Sequence, residues 1–250
     1  MVRVDTFGGT FQLDPRSHLL SRLVLDGEYE PEVFALCARL VDPERDVVDV
    51  GANAGFFSVG LARRLREGRL VAVEPSVAMA DRLRANLARN GLAETVTVLQ
   101  SALSDASGEA VLHTVEGNEE YGTLGVLVHH GLDRVNTLPS AETTPTERLD
   151  DIVARLGLRP ALLKVDVEGF EGHVFRGAQR TLAEHRPAVV TEFNASLLRA
   201  NGDSPEALIS LFERAGYRVL DPFSPGHPPV TPTFLETTEE VLCLPAEVTP

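Results

Sequence analysis

Two groups of polar residues stand where apolar runs end, and both suit chemistry on a small ligand. The first is Asp49-Val50-Gly51-Ala52-Asn53-Ala54-Gly55, followed by Phe56 and Phe57. Glycine at 51 and 55 permits a sharp turn and lets a ligand approach the backbone closely. Glu74 ends the next apolar run, where a carboxylate accepts both hydroxyl protons of a ribose. The second group is Lys164-Val165-Asp166-Val167-Glu168-Gly169-Phe170-Glu171. Its alternation predicts Lys164, Asp166 and Glu168 on one face of an extended segment. A lysine and two acids are costly to bury unpaired, so the choice is between a salt-bridged structural cluster and a set that faces a ligand.

The glycine loop narrows the class of ligand. A dinucleotide site uses G-x-G-x-x-G and lays a pyrophosphate on bare backbone at a helix N-terminus. Here the middle position is Asn53, and Asp49 sets a negative charge beside the loop. That favours a cation without phosphate, and S-adenosylmethionine offers an ammonium and a sulfonium. Methyl transfer from it to a hydroxyl benefits from a base. Asp166 is the first candidate, followed by Glu168 and Glu192. The same three carboxylates are the candidate ligands if Mg²⁺ takes part, because hard oxygen donors suit it. Among the histidines, His173 after the acidic string and the adjacent His129 and His130 are bases that titrate near neutral pH.

The elements that must position these residues follow from the apolar pattern. Runs at Val47–Val50, Leu70–Val73, Val96–Leu99, Ala161–Val165 and Ala188–Thr191 read as buried parallel strands. Between them, helical spacing predicts helices over Phe57–Arg66, Ala78–Asn90 and Gly172–His185. Strand alternating with helix predicts an α/β, Rossmann-like, mostly parallel, doubly wound sheet. Gly216–Asp221 and Glu240–Leu244, joined by a Pro-rich loop, predict an antiparallel pair with a C-terminal strand at the sheet edge. Residues 1–45 read as an N-terminal β/helical segment and 46–250 as the ligand-binding domain. Within it, about 106–145 is an insertion with β-like pieces at Ala110–Val115 and Val126–His129.

Composition excludes several classes. The 250 residues carry 23 Lys and Arg against 37 Asp and Glu, a formal charge of −14, which repels phosphate backbones and argues against nucleic acid. No apolar run approaches the roughly 20 residues that span a bilayer, and the start lacks a signal-peptide core. A cytoplasmic protein with a small-molecule partner is therefore expected, with a homo-oligomer left open. Cys37 and Cys243 read as buried thiols.

The chain resembles the FkbM-type methyltransferases. The resemblance is carried by Asp49–Phe57, Val73-Glu74-Pro75, Leu149-Asp150-Asp151, Leu163–Glu171, Gly177-Ala178, Arg186-Pro187 and Thr191-Glu192, and runs from about Tyr29-Glu30-Pro31 to about Gly216. It implies the class I methyltransferase fold and methyl transfer from S-adenosylmethionine, mostly to oxygen on sugars, polyketides or other small metabolites of natural-product type. It further implies that Asp49, Gly51, Asn53 and Gly55 hold the methionine part and Glu74 the ribose, with Phe56 and Pro75 also in the cofactor-binding set. Ser101 and Ala102, before Leu103, would border the adenine; no acid stands at that strand end, and Asp105 comes next. Three rivals remain. N-methylation of an amine and a non-catalytic nucleoside-binding module share the same residues. A nicotinamide oxidoreductase would need a third glycine and a Tyr-x-x-x-Lys, and neither is present.

Overall fold

The N-terminal segment opens with a hairpin, β1 (Val2–Val4) and β2 (Gly9–Phe11), followed by helices α1 (His18–Asp26) and α2 (Pro31–Leu40). The computed structural model describes residues 1–115, 122–124, 139–231, 235 and 240–248. Next come β3 (Asp46–Val50), α3 (Phe56–Ala62), β4 (Leu70–Val73), α4 (Val77–Arg89) and β5 (Val96–Leu99). A side sheet follows, from β6 (Ala102–Leu103), β7 (Gly108–Val115) and β8 (Pro139–Glu147). The chain continues through α5 (Leu149–Leu156), β9 (Pro160–Val165), α6 (Glu171–Arg176), α7 (Gln179–His185) and β10 (Ala188–Glu192). It ends with α8 (Ala195–Ala200), α9 (Pro205–Arg214), β11 (Tyr217–Leu220) and β12 (Glu240–Pro245).

The central sheet has the order β11-β12-β10-β9-β3-β4-β5. All five predicted apolar runs pair in parallel. The antiparallel pair lies at the edge; its reversed strand, β12, sits one place in, between β10 and β11. The sheet is buried on both faces, so its strands read as continuous apolar runs. Val48, Val50, Leu163, Val165 and Val189 pack under α5–α9, whereas Val47, Leu162 and Val190 pack under the N-terminal segment, α3 and α4.

The N-terminal segment is fastened next to the glycine loop. Phe7 stacks on Phe56 at 5.3 Å between ring centroids and meets Phe34 edge-on at 4.6 Å. Buried Asn86 of α4 accepts from the Gln12 N–H and donates to the carbonyls of Gln12 and Ala54. Both cysteines are buried and unpaired.

Two expectations change. The helix expected over Gly172–His185 breaks into α6 and α7 at Gly177-Ala178. A Cβ at Gly177 would stand 2.1 Å from the Ser104 carbonyl, so the chain passes too close for another residue. Asp150 caps the restarted helix, accepting from the N–H groups of Arg180 and Thr181 and from the Thr181 hydroxyl. The helix expected over Phe57–Arg66 spans only Phe56–Ala62. Of the insertion, Ala110–Val115 lies within β7, which pairs with β8; Val126–His129 and His130 lie outside the described residues.

Candidate active site

The carboxyl ends of β3, β4, β9 and β10 open into one cavity of about 290 Å³, in the range of small-molecule sites. Asp49, Gly51, Asn53, Phe56, Glu74, Pro75, Ser101, Ala102, Asp166, Glu168 and Glu192 all line it. Two predicted residues do not. Gly55 packs against α4, where a Cβ would stand 2.4 Å from Leu83 Cδ1. His173 is turned away by the first turn of α6; its Nδ1 lies 3.3 Å from Asp105 Oδ2 and its ring stacks on Phe170 at 4.0 Å. Asp105 is also outside the lining and pairs with Arg176.

Gly51 owes its identity to the fold. Its φ is +75°, and a Cβ there would stand 1.8 Å from the Asp166 carbonyl oxygen. The close approach that glycine permits is thus made by the loop after β9, which brings the two sequence clusters together. Asn53 also adopts positive φ, and its Oδ1 accepts from the Ala54 N–H at 2.6 Å.

Glu74 is the hinge of the half of the cavity built at the ends of β3 and β4. Its Oε2 accepts from the Asn53 N–H at 2.8 Å and its Oε1 from the Ser76 N–H at 2.9 Å. Burial pushes the carboxyl up to about 7, with these two donors pulling it back. Each oxygen keeps a lone pair for a ribose hydroxyl. The same bond occupies the loop N–H that a dinucleotide site would turn to a pyrophosphate. Asp49, fully buried, accepts from the Ser58 hydroxyl through Oδ2 at 2.6 Å, and its Oδ1 has no partner. Burial raises its carboxyl, while Lys164 and Ser58 oppose that. Ser101 Oγ is likewise buried without a partner.

In the other half, at the end of β9, Lys164 stands beside Asp49 in register and reaches Asp166 Oδ2 at 2.9 Å. Its ammonium lies 4.9 Å from the centre of the Phe57 ring. Burial opposes the charge, but Asp166, Asp49 and Glu30 outweigh it and hold the lysine protonated. The three polar residues do not share one extended face. β9 ends at Val165, and the chain then turns through Glu168 (φ +52°) and Gly169 (φ +90°). Glu171 braces this turn: Oε1 accepts from the N–H groups of Val167 and Gly169, and burial lifts the carboxyl to about 7. Among the described residues no three His, Cys, Asp or Glu side chains converge on a metal position, so Asp166, Glu168 and Glu192 form no such group.

The cavity also holds residues that motif reading passed over: Arg22, Tyr29, Glu30 and Glu240. Only Tyr29-Glu30-Pro31 left a signal, as the start of the family resemblance.

The methyltransferase FkbM domain, as a sequence family, matches residues 49–219. The chain belongs to the FkbM methyltransferase family. It is 30% identical over 217 residues to the AMB antimetabolite synthetase AmbE of Pseudomonas aeruginosa, covering 75% of this chain and 10% of that protein. It is 30% identical over 168 residues to methyltransferase sdnD of Sordaria araneosa, covering 58% of this chain and 65% of the relative. The chain thus spans less than two thirds of either curated relative. The crystal structure of methyltransferase FkbM from Methylobacillus flagellatus KT shares the fold at 20% identity, with a TM-score of 0.50, covering 81% of this chain and 44% of the other. Among the described residues no helix is long and apolar enough to cross a membrane.

Proposed function

We propose that this family member is an S-adenosylmethionine-dependent O-methyltransferase acting on a hydroxyl of a small polar molecule such as a sugar, glycoside or polyketide. The observation that carries the reading is Glu74, fixed by backbone N–H groups of the glycine loop and of its own turn, beside an Asp49 oxygen without a partner. These groups fit the ligand. Asp49 answers its ammonium, Glu74 its ribose, and Ser101 and Ala102 border its adenine. When bound, S-adenosylmethionine supplies an electrophilic methyl carbon and a neutral leaving group.

The chain's own work is alignment and proton handling. Phe56, Phe57 and Tyr29 wall the cavity with apolar surface and restrict water. Asp166, Glu168, Glu192 and Glu30 all line the cavity, and one of these carboxylates receives the acceptor's proton. Asp166 is already engaged, since its Oδ2 accepts from the Lys164 ammonium at 2.9 Å. The name of one relative, an antimetabolite synthetase, supports a place in natural-product biosynthesis.

The test is incubation with S-adenosylmethionine labelled with ¹³C at the methyl, together with a panel of sugars, glycosides and polyketides, read by carbon NMR. A labelled methyl on oxygen is expected. Label on nitrogen would replace the reading with N-methylation, and no transfer across the panel would leave only a binding role.

A further inference from the structure

Glu30 stands outside the residues matched by the family, yet it lines the same cavity as Asp49, Gly51 and Asp166. It occupies the left-handed region, φ +43° and ψ +50°, directly before Pro31. That conformation is costly for a residue with a side chain and clusters at functional positions. It is the N-cap residue of α2, but its side chain makes no capping bond; only its carbonyl serves the helix, accepting from the Phe34 N–H at 3.0 Å. The carboxylate is instead held over the cavity, 23% exposed, with Arg22 Nη1 3.9 Å away. Arg22 lies over the Tyr29 ring at 5.1 Å, and that ring packs on Phe56 at 5.5 Å. The turn is therefore fixed from two sides.

Asp166 differs. Its Oδ2 is already taken by the Lys164 ammonium at 2.9 Å. Arg22 approaches Glu30 only at the outer limit of an ion pair.

We propose that Glu30, rather than Asp166, takes the acceptor's proton in the transfer step, an assignment that rests on the methyltransferase reading above. As the acceptor oxygen bonds to the methyl carbon, the carbon–sulfur bond breaks and its electron pair stays on sulfur. The hydroxyl proton passes to the Glu30 carboxylate. Burial, and then the Asp166 charge, raise the Glu30 carboxyl above the ordinary range; Lys164, Tyr29 and Arg22 oppose the rise. A raised carboxyl is a better match for a base near neutral pH. The charged or titratable groups facing it are Arg22 of α1, its neighbour Tyr29, Cys37 of α2, and Lys164 and Asp166 at the end of β9.

The test needs no acceptor. Sinefungin carries an amine where S-adenosylmethionine carries its methylsulfonium, so its ammonium reports on a carboxylate at the transfer point; S-adenosylhomocysteine has no such charge. Calorimetric affinities for both ligands are compared in the wild-type chain, Glu30→Gln, Glu30→Asp and Asp166→Asn. Glu30→Gln is expected to weaken sinefungin at least about tenfold, the size of one charge-assisted hydrogen bond, and S-adenosylhomocysteine by no more than about twofold. Glu30→Asp keeps part of the preference. In the wild type the preference for sinefungin falls as Glu30 is protonated at lower pH, an arm that stands if the variants fold poorly. An unchanged preference in Glu30→Gln, or its loss in Asp166→Asn alone, overturns the assignment. Failure of the wild type to bind S-adenosylhomocysteine is a separate result and removes the cofactor reading beneath it.

Discussion

The two halves of the cavity are built on different principles. In the half proposed for the cofactor, Glu74 is held by the backbone N–H groups of Asn53 and Ser76 and Asn53 by its own neighbour, with Asp49 on the Ser58 hydroxyl as the exception. In the half proposed for the acceptor, side chains hold one another: Lys164 with Asp166, and Arg22 beside Glu30. A backbone-held group keeps its place when neighbouring side chains change. A group held by an ion pair moves with its partner. The first half suits a ligand common to a family, and the second suits a substrate that differs between members.

The point where the halves touch, Gly51 against the Asp166 carbonyl, gives the largest expected effect. Gly51→Ala puts a Cβ into that oxygen at positive φ and should cost about 3–5 kcal/mol. Thermal unfolding should then come about 10 °C lower. An unchanged melt would mean that the two loops separate easily and that the halves are independent.

Lys164→Met tests the ion-paired half. It strands Asp166 and Asp49 without their shared cation, at a cost of about 2–4 kcal/mol near neutral pH. The value sits below that of a fully buried pair because Asp166 is 32% exposed. Urea unfolding should show this loss shrinking in acid, as the carboxylates protonate. A loss that does not depend on pH would assign it to packing against Phe57 instead.

A smaller effect separates the halves by pH. The Glu74 and Glu171 carboxyls are pushed up to about 7 by burial. The folded chain therefore holds their protons more tightly than the unfolded chain does. Their contribution to stability is present below the ordinary carboxyl range and is lost as pH rises through about 7. The proposed ribose contact runs the other way, since it needs an ionised Glu74 to accept two hydroxyls. Affinity for S-adenosylhomocysteine should rise up to about tenfold from about pH 6 to about pH 8. A flat profile would show that Glu74 is already ionised and that its backbone donors outweigh burial.

Much of the cofactor half was legible because its signals are local. The glycine loop, the acid ending β4 and the strand–helix alternation are short-range patterns that survive without knowledge of packing. Even there, the reason for Gly51 was hidden, since the atom it avoids is more than a hundred residues away in sequence. The acceptor half was less legible. Alternation from Lys164 to Glu168 read as strand, but Glu171 supplies acceptors that reward a turn, and the turn prevailed. The break between α6 and α7 depends on the Ser104 carbonyl lying against Gly177 and on the Asp150 carboxylate meeting Arg180 and Thr181, contacts between residues distant in sequence. Glu30 reaches the cavity only through the docking of α2 beside β9, which no local pattern announces.

The central claim is a site for S-adenosylmethionine anchored by Glu74, and calorimetric titration of the full chain with S-adenosylhomocysteine tests it most directly. NAD(H) and the Glu74→Ala variant are the controls. Saturable binding by the wild type is expected, weakened at least about tenfold in Glu74→Ala by the loss of charge-assisted hydrogen bonds, with no comparable binding of NAD(H). Binding that ignores Glu74→Ala, or a preference for NAD(H), would contradict the claim.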